Sequence, residues 1–468
     1  MSKVLGLFFP LLFVAPYGIE AAAPGIDPDF AYRMKRLEAE TQALRDELAY
    51  LRAQPLQLHE TAVTPAGMSA PVASPQQDDV DLISWPELQT EMKKLAWGKG
   101  DFKIVPYGIL WGNMAYETSR TFPTARSYVT WAQSLSTHGE DAFAIDGRTS
   151  RVGLNVSGPS LWPFGCAKSG GKVEFDFQGS FATTENKGSV LLRHAYWEIK
   201  NEDFRLLFGQ TWDVISPLIP GTVLYTILWD AGNVGYRRAQ LRGERYLGFS
   251  DTFLLTLQGS LNHNIVSDFR SESPVVDRPE DASWPLLQAR IAATLGYRDK
   301  WGLPITFGVS GHIGEQGFDV LSGPMAGDDV RRRTWSLNAD VKLPVNEWLG
   351  FQGELFTGEN LGTFLGGIGQ GIDSTTLQPI RSNGGWLELY AYWLADLHSH
   401  FGYSIDDPLD EDITNGRTYN QVYFGNLIWD VTGKFQLGFE VSSWRTLYTA
   451  PLRPGEAVRF EFAGKYGF

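Results

Sequence analysis

The sequence predicts an all-β protein: an antiparallel transmembrane β-barrel of about sixteen strands, preceded by a short N-terminal coiled-coil helix. Three observations lead there. From Phe102 onward, apolar and polar residues alternate with a period of two, as in strands with one apolar and one polar face. The connections between these runs alternate between short and long. Beyond the N-terminus, no stretch reaches the roughly 18 consecutive apolar residues of a membrane helix. That excludes a helical membrane protein but not a barrel, whose strands hide half their residues from lipid. An aromatic content of 13% and 50 glycines suit many turns and rings at a membrane interface.

Residues 1–23 read MSKVLGLFFPLLFVAPYGIEAAA. Lys3 gives a short positive region, Val4 to Val14 an apolar run, and Ala21, Ala22 and Ala23 small residues suited to cleavage. This is the pattern of a secretory signal peptide. Pro10 and Pro16 argue against a buried core helix. Cys166 is the only cysteine, so the exported chain has no disulfide to rely on. Cys166 is expected to be a packed small residue. A formal net charge of −14 argues against a nucleic-acid partner.

Residues 24–53 contain FAYRMKRLEAETQALRDELAYLRA. Phe30, Met34, Leu37, Thr41, Leu44, Leu48 and Leu51 step by four and three, the seam of a coiled coil lasting about three heptads. The alternative is an amphipathic helix docked on its own body. Residues 54–83 are rich in Pro, Ala, Ser and Gln and read as an extended linker. A short helix is expected over 84–97. Ser84 is its N-cap, Pro86 sits early, Glu87 closes a capping box, and Leu88, Met92 and Leu95 form a stripe.

The barrel is expected over 102–468. Lys172, Glu174, Asp176 and Gln178 alternate with Val173, Phe175 and Phe177. Ser336, Asn338, Asp340 and Lys342 alternate with Trp335, Leu337 and Val341. Short connections read KNED, RDKWG, LPVNEW and DVTGK, and long ones lie near 118–147, 212–234, 264–283, 315–330, 359–383 and 405–416. Short turns at one end and long loops at the other are the plan of an outer-membrane barrel. An even strand count puts both barrel termini on the short-turn, periplasmic side, next to a periplasmic coiled coil. The final run, VRFEFAGKYGF, places Phe460, Phe462, Tyr466 and Phe468 on one face, with Phe468 at the periplasmic aromatic girdle.

These residues resemble the trimeric Gram-negative outer-membrane porin superfamily. The terminal aromatic strand is similar to the signal by which such barrels are recognised for insertion. The combination of signal, coiled coil and sixteen strands resembles the DcaP-like porins. The stretch LLRHAYWEIKNEDFRLLFGQTWDVISP resembles that family's strand-four to strand-five hairpin, above all in RHAY and GQTW. The resemblance implies a homotrimer in the outer membrane, the barrel-assembly machinery as a partner, and small hydrophilic solutes, anionic dicarboxylates among them. The linker and the helix near Ser84 depart from the family pattern.

In that superfamily the third long loop folds into the barrel and narrows it. Here that loop, TWDVISPLIPGTVLYTILWDAGNVG, carries Asp213 and Asp230 as its acids. The alternative is an external loop in trimer contact. By parity, Arg151, Arg205, Arg238, Arg242 and Arg290 face the lumen, as do Glu174, Asp176, Asp340, Glu354, Glu388 and Glu440. Arginines on a wall opposite carboxylates on a loop set up a transverse field; the alternative is a plain, solvated lumen. Arg237 and Arg245 have the opposite parity and are expected at a rim or in the trimer interface, unless the register slips there.

The run SIDDPLDEDITNG holds Asp406, Asp407, Asp410, Glu411 and Asp412 and reads as a solvated acidic loop, since its spacing is not that of an EF-hand. His398 and His400 share a strand face, but two histidines without a third ligand predict no metal centre, and no cofactor is expected. Ser310 and His312 also share a face, without an evident third partner for hydrolysis. The expected function is therefore non-enzymatic passage of small hydrophilic solutes across the outer membrane. Two alternatives are an envelope tether, with the barrel anchoring the coiled coil, and a barrel-embedded hydrolase.

Overall fold

The computed structural model describes residues 97–123, 128–179, 188–265, 280–281, 284–296, 303–323 and 326–468. The signal peptide, the coiled coil with Met34, Leu37, Leu44, Leu48 and Leu51, the linker and all but the last residue of the expected helix lie outside these residues. That last residue, Trp97, begins a three-residue strand, Trp97–Lys99, paired with the start of the barrel.

The described residues form sixteen barrel strands in antiparallel meander order. They are β1 Phe102–Glu117, β2 in two segments (Ala142–Asp146 and Arg151–Leu161), β3 Ala167–Asp176, β4 Leu191–Lys200 and β5 Phe204–Trp212. There follow β6 Arg237–Ser250, β7 Phe253–Asn262, β8 Leu286–Leu295, β9 Ile305–Asp319, β10 Asp329–Pro344 and β11 Leu349–Glu359. The last five are β12 Arg381–Tyr392, β13 Leu397–Pro408, β14 Arg417–Thr432, β15 Phe435–Tyr448 and β16 Gly455–Gly467. β1 pairs with β2 along one edge (Ile109↔Arg151) and with β16 along the other (Glu117↔Arg459), so the sheet closes on itself. Closure leaves no open strand edge, the condition for a sheet to span lipid.

Alternation decides which face meets lipid. Leu355, Leu387, Phe439 and Phe460 point outward and are exposed, while their neighbours Glu354, Glu388, Glu440 and Glu461 point inward and are buried. Aromatic residues gather at the short-turn end: Trp162, Trp348, Trp393 and Trp429 are all exposed there. An apolar outer belt bordered by such a girdle is what a bilayer selects. The short turns are closed locally. Asn201 Oδ1 accepts from the backbone N–H of Asp203 and of Phe204, both at 2.9 Å, and Asn346 does the same for Trp348 and Leu349.

One sequence expectation fails here. Cys166 is exposed rather than packed. It sits in the β2–β3 turn directly after Gly165, and both residues have a left-handed backbone, φ 64° and 59°. That geometry turns the chain at the rim, where no core covers the thiol.

Candidate pore

The loop L3 (213–236), between β5 and β6, lies against the inner face of the wall. Val214 N–H donates to Gln288 Oε1 on β8 at 2.6 Å. Leu218 N–H donates to Glu354 on β11, Gly221 N–H to Glu388 on β12, and Val223 N–H to Glu440 on β15, each at 2.7 Å. Tyr225 then donates its hydroxyl to Asp176 on β3 at 2.6 Å. Pro217 and Pro220 keep this stretch out of regular structure, so its remaining N–H groups need partners, and inward carboxylates supply them. Each such hydrogen bond contributes about 1 kcal/mol.

Two further loops join it. L1 (118–141) accepts from L3 at Val129 O, where the Thr226 hydroxyl donates at 2.5 Å. L6 (360–380) accepts the N–H of Asp230 at Leu365 O, 2.8 Å, and that of Gly235 at Phe364 O, 2.7 Å. Asn420 on β14 clamps L1 and L3 together, donating to Thr130 O and Asp230 O at 2.8 Å each. Leu224, Leu228 and Ala231 of L3 pack with Val129 of L1 against Trp386 and Trp444 of the wall, an apolar core inside the barrel. A cavity of about 150 Å³ lies beside L3, bordered by Ser216, Trp229 and Asn233 and by Arg242 and Gln258 of the wall.

The inward arginines are mostly paired. Arg205 meets Glu198 at 2.6 Å and Glu244 at 3.5 Å. Arg242 bonds Gln240 Oε1 at 2.8 Å and lies 3.4 Å from Glu244. Arg290 grips Asp340 through two nitrogens, at 2.9 and 2.7 Å. Arg238 contacts Asp213 directly and stacks on Phe364, 3.8 Å from the ring centre. Arg238 and Asp213 thus form an ion pair instead of facing each other across an opening. Asp230 is held between loops through its backbone.

Arg193, within the RHAY stretch, was not singled out by alternation. It ties Glu174 and Asp176 together at 2.7 and 2.9 Å and donates to the Tyr225 hydroxyl at 3.1 Å. A bulge in β4 places both Arg193 and His194 inside, which strict parity forbids. Burial pushes the phenol of Tyr225, on L3, up to about 12, so it stays a donor.

Arg237, Arg151 and Lys465 face aromatic rings and form no ion pair with a carboxylate among the described residues. Arg237 is 1% exposed, none of its guanidinium nitrogens is hydrogen-bonded, and it faces Trp212, Tyr236 and Trp229 at 4.8, 5.0 and 5.8 Å. It lies inside and not at a rim or in the outer face, because β6 begins alternating only from Arg238. Arg151 and Lys465 approach opposite parts of the Trp111 environment, at 5.2 and 4.1 Å from its ring centre. Arg245 does reach the rim, donating to Asp203 O at 3.4 Å.

The other candidates resolve as follows. The acidic run divides: Asp407, Asp410 and Glu411 are exposed, whereas Asp406 is buried and accepts from Ser382 and from Ile368 N–H, and Arg381 pairs with Glu411 and Asp412. His312 spends both ring nitrogens on Ser336 and Thr334 and is not hydrogen-bonded to Ser310. Phe460, Phe462 and Tyr466 face outward, exposed by 39, 41 and 36%.

A closed sixteen-stranded barrel with an apolar belt and inward-folded loops is the fold of the outer-membrane porins. In particular, the chain is similar to the outer-membrane channel DcaP of Acinetobacter baumannii, at 18% identity over 79% of this chain and 99% of that one, with a TM-score of 0.62. It is also similar to OprB of Pseudomonas putida, at 8% identity over 82% of this chain and 97% of that one, with a TM-score of 0.50. At these identities the likeness is one of fold. No family model matches the sequence, and no curated protein matches it.

Proposed function

We propose that this protein is a passive outer-membrane channel for small hydrophilic solutes, narrowed by L3 and biased toward anions. The charge inventory of the interior carries this reading. Glu354, Glu388 and Glu440 are occupied by L3 backbone N–H groups; Glu174, Asp176, Asp213 and Asp340 are occupied by arginines. Arg237, Arg151 and Lys465 face aromatic rings instead. Cations that face rings and not carboxylates stay available to a passing anion, which favours anions in a confined pore. Arg205, Arg238, Arg242 and Arg290 act in this reading as wall supports rather than as the selective groups.

The assembly is a homotrimer in the lipid bilayer of the outer membrane, with the N-terminal segment periplasmic. The strand carrying Phe460, Phe462, Tyr466 and Phe468 serves as the signal read by the barrel-assembly machinery. The test is single-channel conductance of unboiled, detergent-purified protein in a planar bilayer under a salt gradient. Steps in groups of three with an anion-selective reversal potential are expected. Absence of conductance from correctly folded barrel would overturn the reading.

A further inference from the structure

On the inner face of β13, His398 Nδ1 and His400 Nε2 lie 3.1 Å apart, with the rings nearly perpendicular at 83°. Each ring turns its other nitrogen to a carboxylate on a neighbouring strand. His398 Nε2 is 3.3 Å from Asp430 Oδ2 on β14, and His400 Nδ1 is 3.2 Å from Glu388 Oε1 on β12. An ionised carboxylate only accepts hydrogen bonds, so each outer ring nitrogen carries its proton. That fixes both tautomers. With both rings neutral, the two inner nitrogens are then lone pairs converging on one point.

Two lone pairs 3.1 Å apart call for a cation between them. A carboxylate behind each imidazole is the arrangement that orients and strengthens metal-ligating histidines. The spacing fits as well: two nitrogens about 2.0–2.1 Å from a tetrahedral zinc lie roughly 3.4 Å apart. We propose that His398 and His400 form a site for a divalent transition metal of the zinc, nickel or copper class, with Asp430 and Glu388 as its positioning residues. Among the described residues no set of three or more His, Cys or acidic side chains converges on one point. Water therefore completes the shell, and the ion is exchangeable. Both histidine side chains are 12% exposed, so water and ions have access.

The site is wired to L3. Glu388 holds His400 through Oε1 and Gly221 N–H through Oε2. His400 N–H donates to Asn426 Oδ1 at 2.9 Å, and Asn426 Nδ2 donates to Gly221 O at 2.8 Å. The imidazole lies so close that a Cβ on Gly221 would come within 2.1 Å of its Nδ1. Metal bound by the pair fixes the His400 ring and, through it, the Pro220–Gly221 turn. This inference stands on the side-chain cluster alone, whether or not the barrel conducts.

The experiment is calorimetric titration of the full-length, untagged, EDTA-treated protein in detergent with zinc chloride alone, then nickel chloride alone, at pH 7.5. One ion per chain with micromolar affinity is expected. His398→Gln and His400→Gln should each weaken binding at least tenfold, and Asp430→Asn by roughly tenfold to a hundredfold. His138→Gln, on the exposed part of L1, should leave it unchanged. Each variant is first checked for a folded barrel by its heat-modifiable gel mobility. Copper loaded in place of zinc should show two nitrogen ligands in its electron paramagnetic resonance spectrum, falling to one in either histidine variant. No uptake up to millimolar metal, or uptake that both histidine variants retain, overturns the proposal.

Discussion

Phe468 lays its ring across Gly108. A Cβ built on Gly108 would lie 2.2 Å from the ring Cζ, and the two backbones exchange hydrogen bonds of 3.0 and 3.2 Å. The pair sits on the β1–β16 seam, where the barrel closes. Glycine is required here by contact, since any side chain would occupy the ring's place.

Gly108→Val should therefore destabilise the closed barrel by about 1–3 kcal/mol through overpacking. The readout is the temperature at which heat-modifiable mobility is lost. Adding Phe468→Ala should recover part of that loss, because the clashing ring is gone. Additive losses in the double variant would mean that the two residues do not share the site.

Replacing the L3 anchors with apolar residues of similar size should free the loop stepwise. Glu440→Leu leaves the Val223 N–H without its acceptor, a cost of about 1–3 kcal/mol. Open-channel noise should rise in Glu440→Leu and rise further with Glu354→Leu, since the two anchors hold different stretches of the loop. Unchanged noise in the double variant would show that L3 does not depend on these contacts.

Arg237 should respond in two ways at once. A buried cation without a hydrogen-bonded anion costs stability, so Arg237→Met should raise the melting temperature. It should also shift the reversal potential toward cations, because one uncompensated positive charge leaves the interior. A variant that melts higher with unaltered selectivity would assign Arg237 to packing alone.

Acid should open the clasp between L6 and L7 (409–416) only at low pH. Burial acts to raise the Asp373 carboxyl, but the N–H groups of Thr376 and Thr414 outweigh it and hold the group below its ordinary value. The Arg381 guanidinium holds Asp412 down in the same sense. A group whose pKa is lower folded than unfolded contributes stability above the unfolded value, about 3.9 for Asp. That contribution disappears as pH falls through the folded value. Protease cleavage in L6 should stay constant from pH 7 to about 4 and rise below it, and Asp373→Asn should be cleaved already at pH 7. Opening between pH 7 and 5 would place the clasp elsewhere.

The wall was legible because its signal is local. Alternation along one strand is enough to put Glu354, Glu388 and Glu440 inside and Leu355, Leu387 and Phe439 outside. What those acids touch was not legible, because the partner of Glu440 is the backbone of Val223, more than two hundred residues away. Parity also fails where a strand is irregular: at the β4 bulge around Arg193 and at Arg237, where the chain is still leaving L3. For the histidine pair, the shared face showed in the sequence, but the carboxylates that fix the tautomers come from strands on either side.

The path of L3 bears on how the chain is assembled. Its clasps run from β3 through β8, β11 and β12 to β15, so a chain emerging from the N-terminus cannot seat the loop when the loop is made. The last receptor, Glu440, exists only once the penultimate strand is in place. Until then the Val223 N–H holds water. Seating of L3 is thus completed late, when β15 brings Glu440 to the Val223 N–H. A barrel truncated before β15 would leave the Val223 N–H without its receptor, and so advertise that it is unfinished.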